Sequence, residues 1–468
     1  MARILMVTPE ASPFAKTGGL GDVLGSLPAA LAARGEDVAV LLPRYRIAHV
    51  SGLDRIRHAM PVSMGPHRFS VDVDLVMHRG VRYLFLDCPP LYDRAGIYNE
   101  GGWDYADNHI RFGLLNRAAL EIARNIFRPD VFHSHDWQAG LLPLYLRSTL
   151  AGDPTFLGLK CILTIHNLGY QGNFPPGAMY DLGIDPSLYH PEGIEFYGRI
   201  SFLKAGVVWA DTVTTVSPTY AREIQTPEFG FGFDGLLRSR AYKLAGILNG
   251  VDYEEWDPRR DPNIPAHYWI DDLAGKAECK RELLAELGLP QREDRPLIGI
   301  VSRFAHQKGF DLLGGIGAPL AEENLAFAVL GSGEAAIEDM FRRFAYLHPG
   351  KFGVRIGYDN GLAHRIEAGS DMFLMPSRYE PSGLSQMYSL RYGTLPIVRA
   401  TGGLEDSVDD ETGFKFRDYA PAALLAAIQK AAGAFEDRQT WQSRMRRAML
   451  KDFSWNASAA RYQDLYRS

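Results

Sequence analysis

From its second residue the chain alternates short, wholly apolar runs with longer stretches in which apolar residues return every three or four positions. Arg3-Ile4-Leu5-Met6-Val7-Thr8 is the first such run and predicts a buried parallel strand. Leu20, Val23, Leu24, Leu27 and Leu31 then fall at helical spacing. Runs at 37–43, 81–87, 130–136, 160–167, 212–217 and 245–250 predict further strands. Between them, 110–126 predicts a helix with Phe112, Leu114, Leu115, Ala118, Ala119 and Ile122 on its apolar side. A proline-rich, charged stretch at 257–265 reads as an interdomain connection. A second series of strands follows at 296–302, 325–331, 351–358, 372–376 and 395–398. The pattern predicts an α/β protein with two doubly wound units, each a parallel sheet covered by helices. Ligands in such sheets bind beyond the carboxyl ends of the strands, and pockets favour domain interfaces. A cleft between the units is therefore the expected site.

Length and composition narrow the class. A chain of 468 residues, 46% hydrophobic and 23% charged, is expected to be soluble and to hold roughly two to four domains. A net charge of −6 gives no basic footprint, so nucleic acid is not an expected partner. Cys88, Cys161 and Cys279 are odd in number and far apart, which fits a reducing compartment and gives no zinc spacing. No run approaches the ~20 apolar residues that cross a bilayer. The chain runs straight into a strand without a signal-like segment. The expectation is a cytoplasmic protein with no membrane partner.

Candidate chemistry sits at the strand ends. Ala15-Lys16-Thr17-Gly18-Gly19-Leu20-Gly21-Asp22 lies where the first strand turns into the first helix. Bare amides, the helix dipole and a lysine there suit an anion. The spacing is neither G-x-G-x-x-G nor a P-loop, so no NAD site or Walker motif is read. Asp136 and His166 also follow strands, although a helix-capping Asp or a packed His would look the same. Arg303 and Lys308 flank one turn, and two cations there suit a diphosphate. Arg378-Tyr379-Glu380-Pro381-Ser382-Gly383-Leu384-Ser385-Gln386 places a carboxylate beside glycine amides, and Thr401-Gly402-Gly403-Leu404 repeats a glycine pair at a strand end. Each alone could be turn chemistry. Together, several anion seats and one carboxylate point to a nucleotide-sugar diphosphate. Tyr98, Trp103, Tyr105, Trp137 and Tyr170 fall in loops, where aromatic faces suit sugar rings. No metal-ligand spacing stands out. Asp72-Val73-Asp74 lies within an alternating strand and reads as a solvated face.

These runs resemble the bacterial glycogen synthase family, ADP-glucose-using relatives of the plant starch synthases. The matching runs are Lys16-Thr17-Gly18-Gly19-Leu20, Ser134-His135-Asp136-Trp137-Gln138-Ala139-Gly140, Thr164-Ile165-His166-Asn167 and Phe196-Tyr197-Gly198-Arg199-Ile200. They continue with Thr214 to Ala221, Leu248-Asn249-Gly250, Ser302-Arg303 with Gln307-Lys308-Gly309, Glu380-Pro381 with Gly383-Leu384, and Thr401 to Leu404. In order and spacing they span nearly the whole chain. The resemblance implies a GT-B-type fold of two Rossmann-like domains facing a deep cleft. The N-terminal domain would cover 1–246, with a C-terminal helix at 455–468 packing back on it, and the C-terminal domain 247–454.

The resemblance also implies a retaining transfer of glucose from ADP-glucose to the non-reducing end of an α-1,4-glucan, without metal or other cofactor. Lys16 and the adjacent turn (Gly18, Gly19) would hold the donor diphosphate from one side, Arg303 and Lys308 from the other, so productive binding needs the cleft shut. Glu380 would bind glucose hydroxyls. Gly383, Leu384, Ser385, Gly402 and Gly403 would bind donor. The backbone carbonyl of His166 would face the reacting sugar and Asp136 would position hydroxyls. Tyr358 would stack on adenine. Asp22 and Asn249 match further cleft residues, and Tyr98, Trp137 and Tyr170 are acceptor candidates. Three features depart from the family pattern: Ser382 stands for the usual Cys, Ser385 for the usual Thr, and Glu411-Thr412-Gly413-Phe414 ends a shortened loop after the Gly402-Gly403 turn. Tyr388 stands where related retaining enzymes carry a second Glu, as this family permits. Alternatives are UDP-glucose as donor, glucose 1-phosphate as acceptor to give maltose 1-phosphate, and a catalytically silent glucan-binding protein.

Overall fold

The continuous apolar runs become parallel strands because both of their faces are covered. The computed structural model describes residues 1–48 and 50–467. They form two compact units. The first comprises Met1–Val216, Ala221–Gly250 and the stretch from Trp455, and the second Ser217–Tyr220 and Val251–Ser454.

The first unit carries a nine-stranded sheet: β1 (Arg3–Val7), β2 (Asp37–Pro43), β3 (Asp54–Met64), β4 (His67–His78), β5 (Val81–Asp87), β6 (Val131–His135), β7 (Lys160–Ile165), β8 (Thr212–Thr215) and β9 (Leu244–Gly246). Their spatial order is β9-β8-β7-β6-β1-β2-β5-β4-β3. In the centre, Ile4 pairs with Val38 on one side and Val131 on the other, and Ile4 to Val7 are fully buried. Helix α1 (Gly19–Ala33) covers this region with Val23, Leu24, Leu27 and Leu31. Helix α2 (Asn108–Asn125) buries the six apolar residues that its periodicity singled out.

The sheet is not wholly parallel. β3 and β4 form an antiparallel hairpin on β5, and no strand was expected at 54–64 because polar residues dominate its exposed face. The reading of Asp72-Val73-Asp74 as a solvated face is also corrected. Asp74 is 2% exposed and accepts from Arg44 (3.0 Å) and Arg55 (2.7 Å), while Asp72 pairs with Arg55. A buried carboxylate persists where guanidinium groups satisfy it.

The C-terminal helix Trp455–Arg467 belongs to the first unit. Trp455, Ala459, Tyr462 and Tyr466 join its core, and the flanks are tied by Arg34 to Asn456 (2.8 Å) and Ser458 to the Leu248 carbonyl (2.6 Å).

The second unit holds β10 (Leu297–Phe304), β11 (Ala326–Gly333), β12 (Phe352–Ile356), β13 (Met372–Met375), β14 (Leu395–Arg399) and β15 (Phe414–Phe416). Their order is β12-β11-β10-β13-β14-β15, all parallel. The chain enters this unit after Gly250 rather than after residue 246. Ile247 still packs in the first core and bonds to Thr215, whereas Val251 bonds to Phe453.

The stretch 257–265 is no loose connection. Asp257 and Asp261 are buried within the second unit. Asp257 accepts from Arg391 (2.8 Å) and Arg259 (2.9 Å). Asp261 accepts from Tyr392 (2.5 Å) and lies 2.7 Å from His364 Nδ1. Trp256 stacks between His364 and Tyr388, with centroids 3.7 and 4.0 Å away. Prolines and charges signalled an irregular backbone, but the partners that bury it lie more than a hundred residues onward.

Burial works against the Asp257 carboxylate, yet the Arg259 and Arg391 bonds outweigh it and hold the pKa at about 2. The stability this contributes is complete above about pH 4 and is lost as pH falls through about 2. Asp257→Ala strands Arg391 beside a buried gap and is expected to cost about 3–5 kcal/mol in denaturant unfolding at neutral pH. Asp294→Ala removes only a solvent-exposed pair with Arg292 and should leave the transition unchanged. Equal, small effects of the two would contradict this account of the 257–265 segment.

Candidate active site

In the first sheet the chain leaves β1 toward β2, while β6 returns on β1's other side. The two neighbours of β1 are thus reached by connections of opposite direction, which makes a topological switch point. The loops after β1, β6 and β7 gather at that edge.

The loop after β1 is organised by Glu10, which the sequence reading did not single out. Its side chain is buried, and its carboxylate accepts from Thr17 N, Thr17 Oγ1 (2.8 Å), Gly18 N (3.3 Å) and the Tyr98 hydroxyl. No pattern marks it beyond being a carboxylate just past a strand. The protein's own anion thus takes the Thr17 and Gly18 amides, which corrects the expectation that Gly18 offers a bare N–H. The open part of the turn is at Gly19, the first residue of α1. A Cβ at Gly18 or Gly19 would meet nothing within 4 Å. Lys16 pairs with Asp22 at 2.5 Å. Gly21 lets the lysine lie back on the helix, because a Cβ there would come within 2.9 Å of Lys16 Cγ. Burial raises the Asp22 carboxyl above its ordinary value, only partly countered by Lys16.

Asp136 follows β6 with φ +54°, a conformation rare for a residue with a side chain. Its amide donates to the Thr164 carbonyl (2.9 Å) and its Oδ1 accepts the His166 amide at 2.7 Å. Burial pushes this carboxyl up to about 7, against the lowering effect of the His166 and Asn167 amides. The structure therefore brings Asp136 and His166 together. The His166 ring, kept neutral by burial with its pKa near about 3, has Nε2 3.0 Å from Nδ1 of His135. Asn249 is buried and its Oδ1 has no partner among the described residues.

Two of the three aromatic acceptor candidates serve packing. Tyr98 is tied to Glu10 and lies 6.0 Å from the Phe112 ring. Trp137 packs on Phe112 (5.0 Å), Phe174 and Phe202. Tyr170 is 55% exposed and stands open.

In the second sheet β10 lies between β11 and β13, again a switch point. Arg303 is the penultimate residue of β10. It is exposed, and its guanidinium makes no hydrogen bond or ion pair among the described residues. Lys308 ends a 3-10 turn, His306–Lys308. The α-helix begins only at Asp311, because Gly309 takes φ +73° against Pro376. Lys308 Nζ lies 2.6 Å from Glu380 Oε2, and Ser377 Oγ donates to the same oxygen at 2.9 Å. The two loops are stitched by Arg378 N to the Gln307 carbonyl (2.9 Å) and Gln307 Nε2 to the Tyr379 carbonyl (3.2 Å).

The glycine pair after β14 presses on this loop. A Cβ at Gly402 would come within 1.9 Å of the Glu380 carbonyl, and one at Gly403 within 1.9 Å of the Ser382 carbonyl. Gly403 N donates to the Glu380 carbonyl at 3.0 Å. Gly383 (φ +64°) and Leu384 lead into helix α3 (Ser385–Arg391). Ser382 is buried, Ser385 opens α3, and Tyr388 stacks on Trp256. Tyr358 follows Gly357 with its ring 86% exposed. Ser217–Tyr220 belongs to this unit as well. Ser217 Oγ donates to the Pro381 carbonyl (2.6 Å), and Thr219 donates twice to Asp406 at 2.7 Å. In the sequence this segment reads as a strand end at Ser217 and as part of a matching run, neither of which points to its partners.

Among the described residues no group of three or more His, Cys, Asp or Glu is placed to hold a metal ion, and no helix is long and apolar enough to cross a membrane.

Two family descriptions match the chain: starch synthase catalytic domain over residues 3–239, and glycosyl transferases group 1 over residues 288–448. The chain is 50% identical to a glycogen synthase of Anaeromyxobacter dehalogenans, covering 100% of this chain and 99% of that one. It is 49% identical to a glycogen synthase of Koribacter versatilis, covering 99% and 97%. Its fold superposes on the catalytic domain of starch synthase IV from Arabidopsis thaliana, solved with ADP and acarbose, with a TM-score of 0.91, 31% identity and coverage of 100% and 99%. A sucrose-phosphate synthase from Thermosynechococcus elongatus shares the fold at a TM-score of 0.62 and 18% identity. The two Rossmann-like sheets are thus those of a GT-B glycosyltransferase, and the chain belongs to the glycogen and starch synthase family.

Proposed function

We propose that this protein is a retaining glucosyltransferase that lengthens an α-1,4-glucan during glycogen synthesis, with ADP-glucose as donor and ADP as leaving group. The observation that carries the reading is the group after β10 and β13: Arg303, Lys308 and Glu380 at the carboxyl edge of one sheet. Two cations suit a departing diphosphate and one carboxylate suits sugar hydroxyls. Glycogen synthase relatives across the full length, and a structural neighbour solved with ADP and acarbose, support the donor and acceptor classes. We place the protein in the cytoplasm, with a nucleotide sugar and a glucan as its partners, and with no metal or other cofactor required.

In this reading the bond from the glucose anomeric carbon to the distal phosphate oxygen breaks, and a bond to the glucan 4-oxygen forms on the same face. The hydroxyl proton passes to the departing phosphate. Arg303 and Lys308 hold that phosphate, with the Gly383 and Leu384 amides and the Ser385, Gly402 and Gly403 turn residues around it. Glu380 holds the glucose hydroxyls. Tyr358 offers its open ring to adenine. Lys16 and the Gly19 turn supply a further anion seat, with Asp22 setting the lysine. The His166 carbonyl faces positive charge developing on the sugar, Asp136 accepts a sugar hydroxyl, and Asn249 and Tyr170 contact the sugars.

The direct test supplies ADP-glucose or UDP-glucose, labelled in the sugar, with glycogen and EDTA. ADP release with label in α-1,4-linked glucan is the expected result. Preference for UDP would overturn the donor assignment alone. Label in a phosphorylated disaccharide when glucose 1-phosphate is added would move the acceptor, and release of neither nucleotide would favour a silent binding protein. Lys16→Ala and Glu380→Ala are each expected to lower turnover by about 10²–10³ with the fold intact. Near-normal turnover in either removes the role given to that residue.

A further inference from the structure

His166 presents one ring nitrogen to the protein: Nε2, 3.0 Å from Nδ1 of His135. His135 ends β6 and is fully buried. Its other nitrogen, Nε2, has no partner among the described residues. With both rings neutral, two arrangements satisfy the contact. In one, His166 Nε2–H donates to a bare His135 Nδ1. His135 must then carry its proton on Nε2, as a buried N–H with no acceptor. In the other, His135 Nδ1–H donates to a bare His166 Nε2, and the unpartnered atom is only a lone pair. Buried N–H groups without acceptors are rarer in folded proteins than under-used acceptors. Burial, which lowers the basicity of both rings, keeps them neutral.

We propose that His135 is a positioning residue that holds His166 in its Nδ1–H tautomer, turning the remaining ring nitrogen of His166 into a hydrogen-bond donor. The arrangement is braced from behind. His133, two residues earlier on the same face of β6, lies 4.1 Å from the His135 ring. His133 is itself fixed at both nitrogens, Nδ1 by the Tyr466 hydroxyl at 2.8 Å and Nε2 by Thr164 Oγ1 at 2.6 Å. A three-histidine column thus runs from the C-terminal helix to His166 within the first unit. Its significance for catalysis rests on the reading above, in which His166 touches the reacting sugar. Nδ1–H then meets a sugar hydroxyl as a donor, and the wrong tautomer would face it with a lone pair.

Two measurements test this. Long-range proton–nitrogen correlation spectra of protein labelled with ¹⁵N-histidine, with His166→Ala used for assignment, are expected to show His166 protonated on Nδ1 and bare on Nε2. The opposite pattern overturns the proposal, and the spectrum needs no activity. His135→Asn keeps an amide N–H near the place of Nδ1, whereas His135→Gln moves it toward that of Nε2. The Asn variant should keep turnover close to wild type, and the Gln variant should lose roughly 10–100-fold in kcat with little change in KM. Equal turnover in two equally well folded variants overturns the positioning role. A wild-type protein that transfers no glucose would overturn the functional reading instead, and the spectrum would still decide the tautomer.

Discussion

A carboxylate and an ammonium 2.6 Å apart, Glu380 and Lys308, anchor the candidate site at the edge of the second unit's sheet. The pair joins the loop after β10 to the loop after β13, and Ser377 adds a second donor to the same carboxylate oxygen. With the ammonium about four-fifths buried and the carboxylate almost wholly so, each charge needs the other to be tolerated there. The rest of that edge follows. Gly402 and Gly403 lack side chains because the Glu380–Ser382 backbone lies where a Cβ would go. Ser217 reaches the Pro381 carbonyl from the 217–220 segment. The loop is thus held by the protein's own hydrogen bonds and close packing, which keeps the two charges side by side.

The first unit uses the same device with backbone donors. Glu10 occupies the amides of the glycine turn, and Asp136 occupies the amide of His166. Lys16 rests on Asp22, as Lys308 does on Glu380. Asp136 and Lys16 are thereby oriented by a neighbour, while the Thr17 and Gly18 amides are taken by Glu10. The buried Asp136 carboxyl, raised to about 7, and the strained backbone beneath it show what this orientation costs the fold.

The double α/β pattern was legible because parallel strands buried on both faces read as continuous apolar runs, and α2 because its apolar side repeats at helical spacing. Of the β3–β4 hairpin only β4 was legible, as an alternating strand; β3 was not, because its first half is exposed and polar and the buried alternation of Met60, Val62 and Met64 spans only its end. The candidate site residues were legible as charges at strand ends, and the roles proposed for them came from the family resemblance. The partners of Glu10, His135 and Ser217 were not foreseen for one shared reason. Each acts through a partner far along the chain or on a backbone amide, and neither leaves a spacing signal. The stretch 257–265 misled in the same way, because Arg391 and His364, which bury it, are invisible locally.

The central claim is that Glu380 and Lys308 hold each other in the unliganded protein, and that the lysine turns to phosphate while the carboxylate turns to sugar. Calorimetric titration of ADP into the wild-type protein and into Glu380→Gln tests it most directly. ADP carries phosphate but no glucose, so the variant should bind it at least as tightly as wild type, its lysine no longer shared. Loss of ADP affinity by tenfold or more, about 1.4 kcal/mol, would contradict the account and make Glu380 a phosphate-site residue.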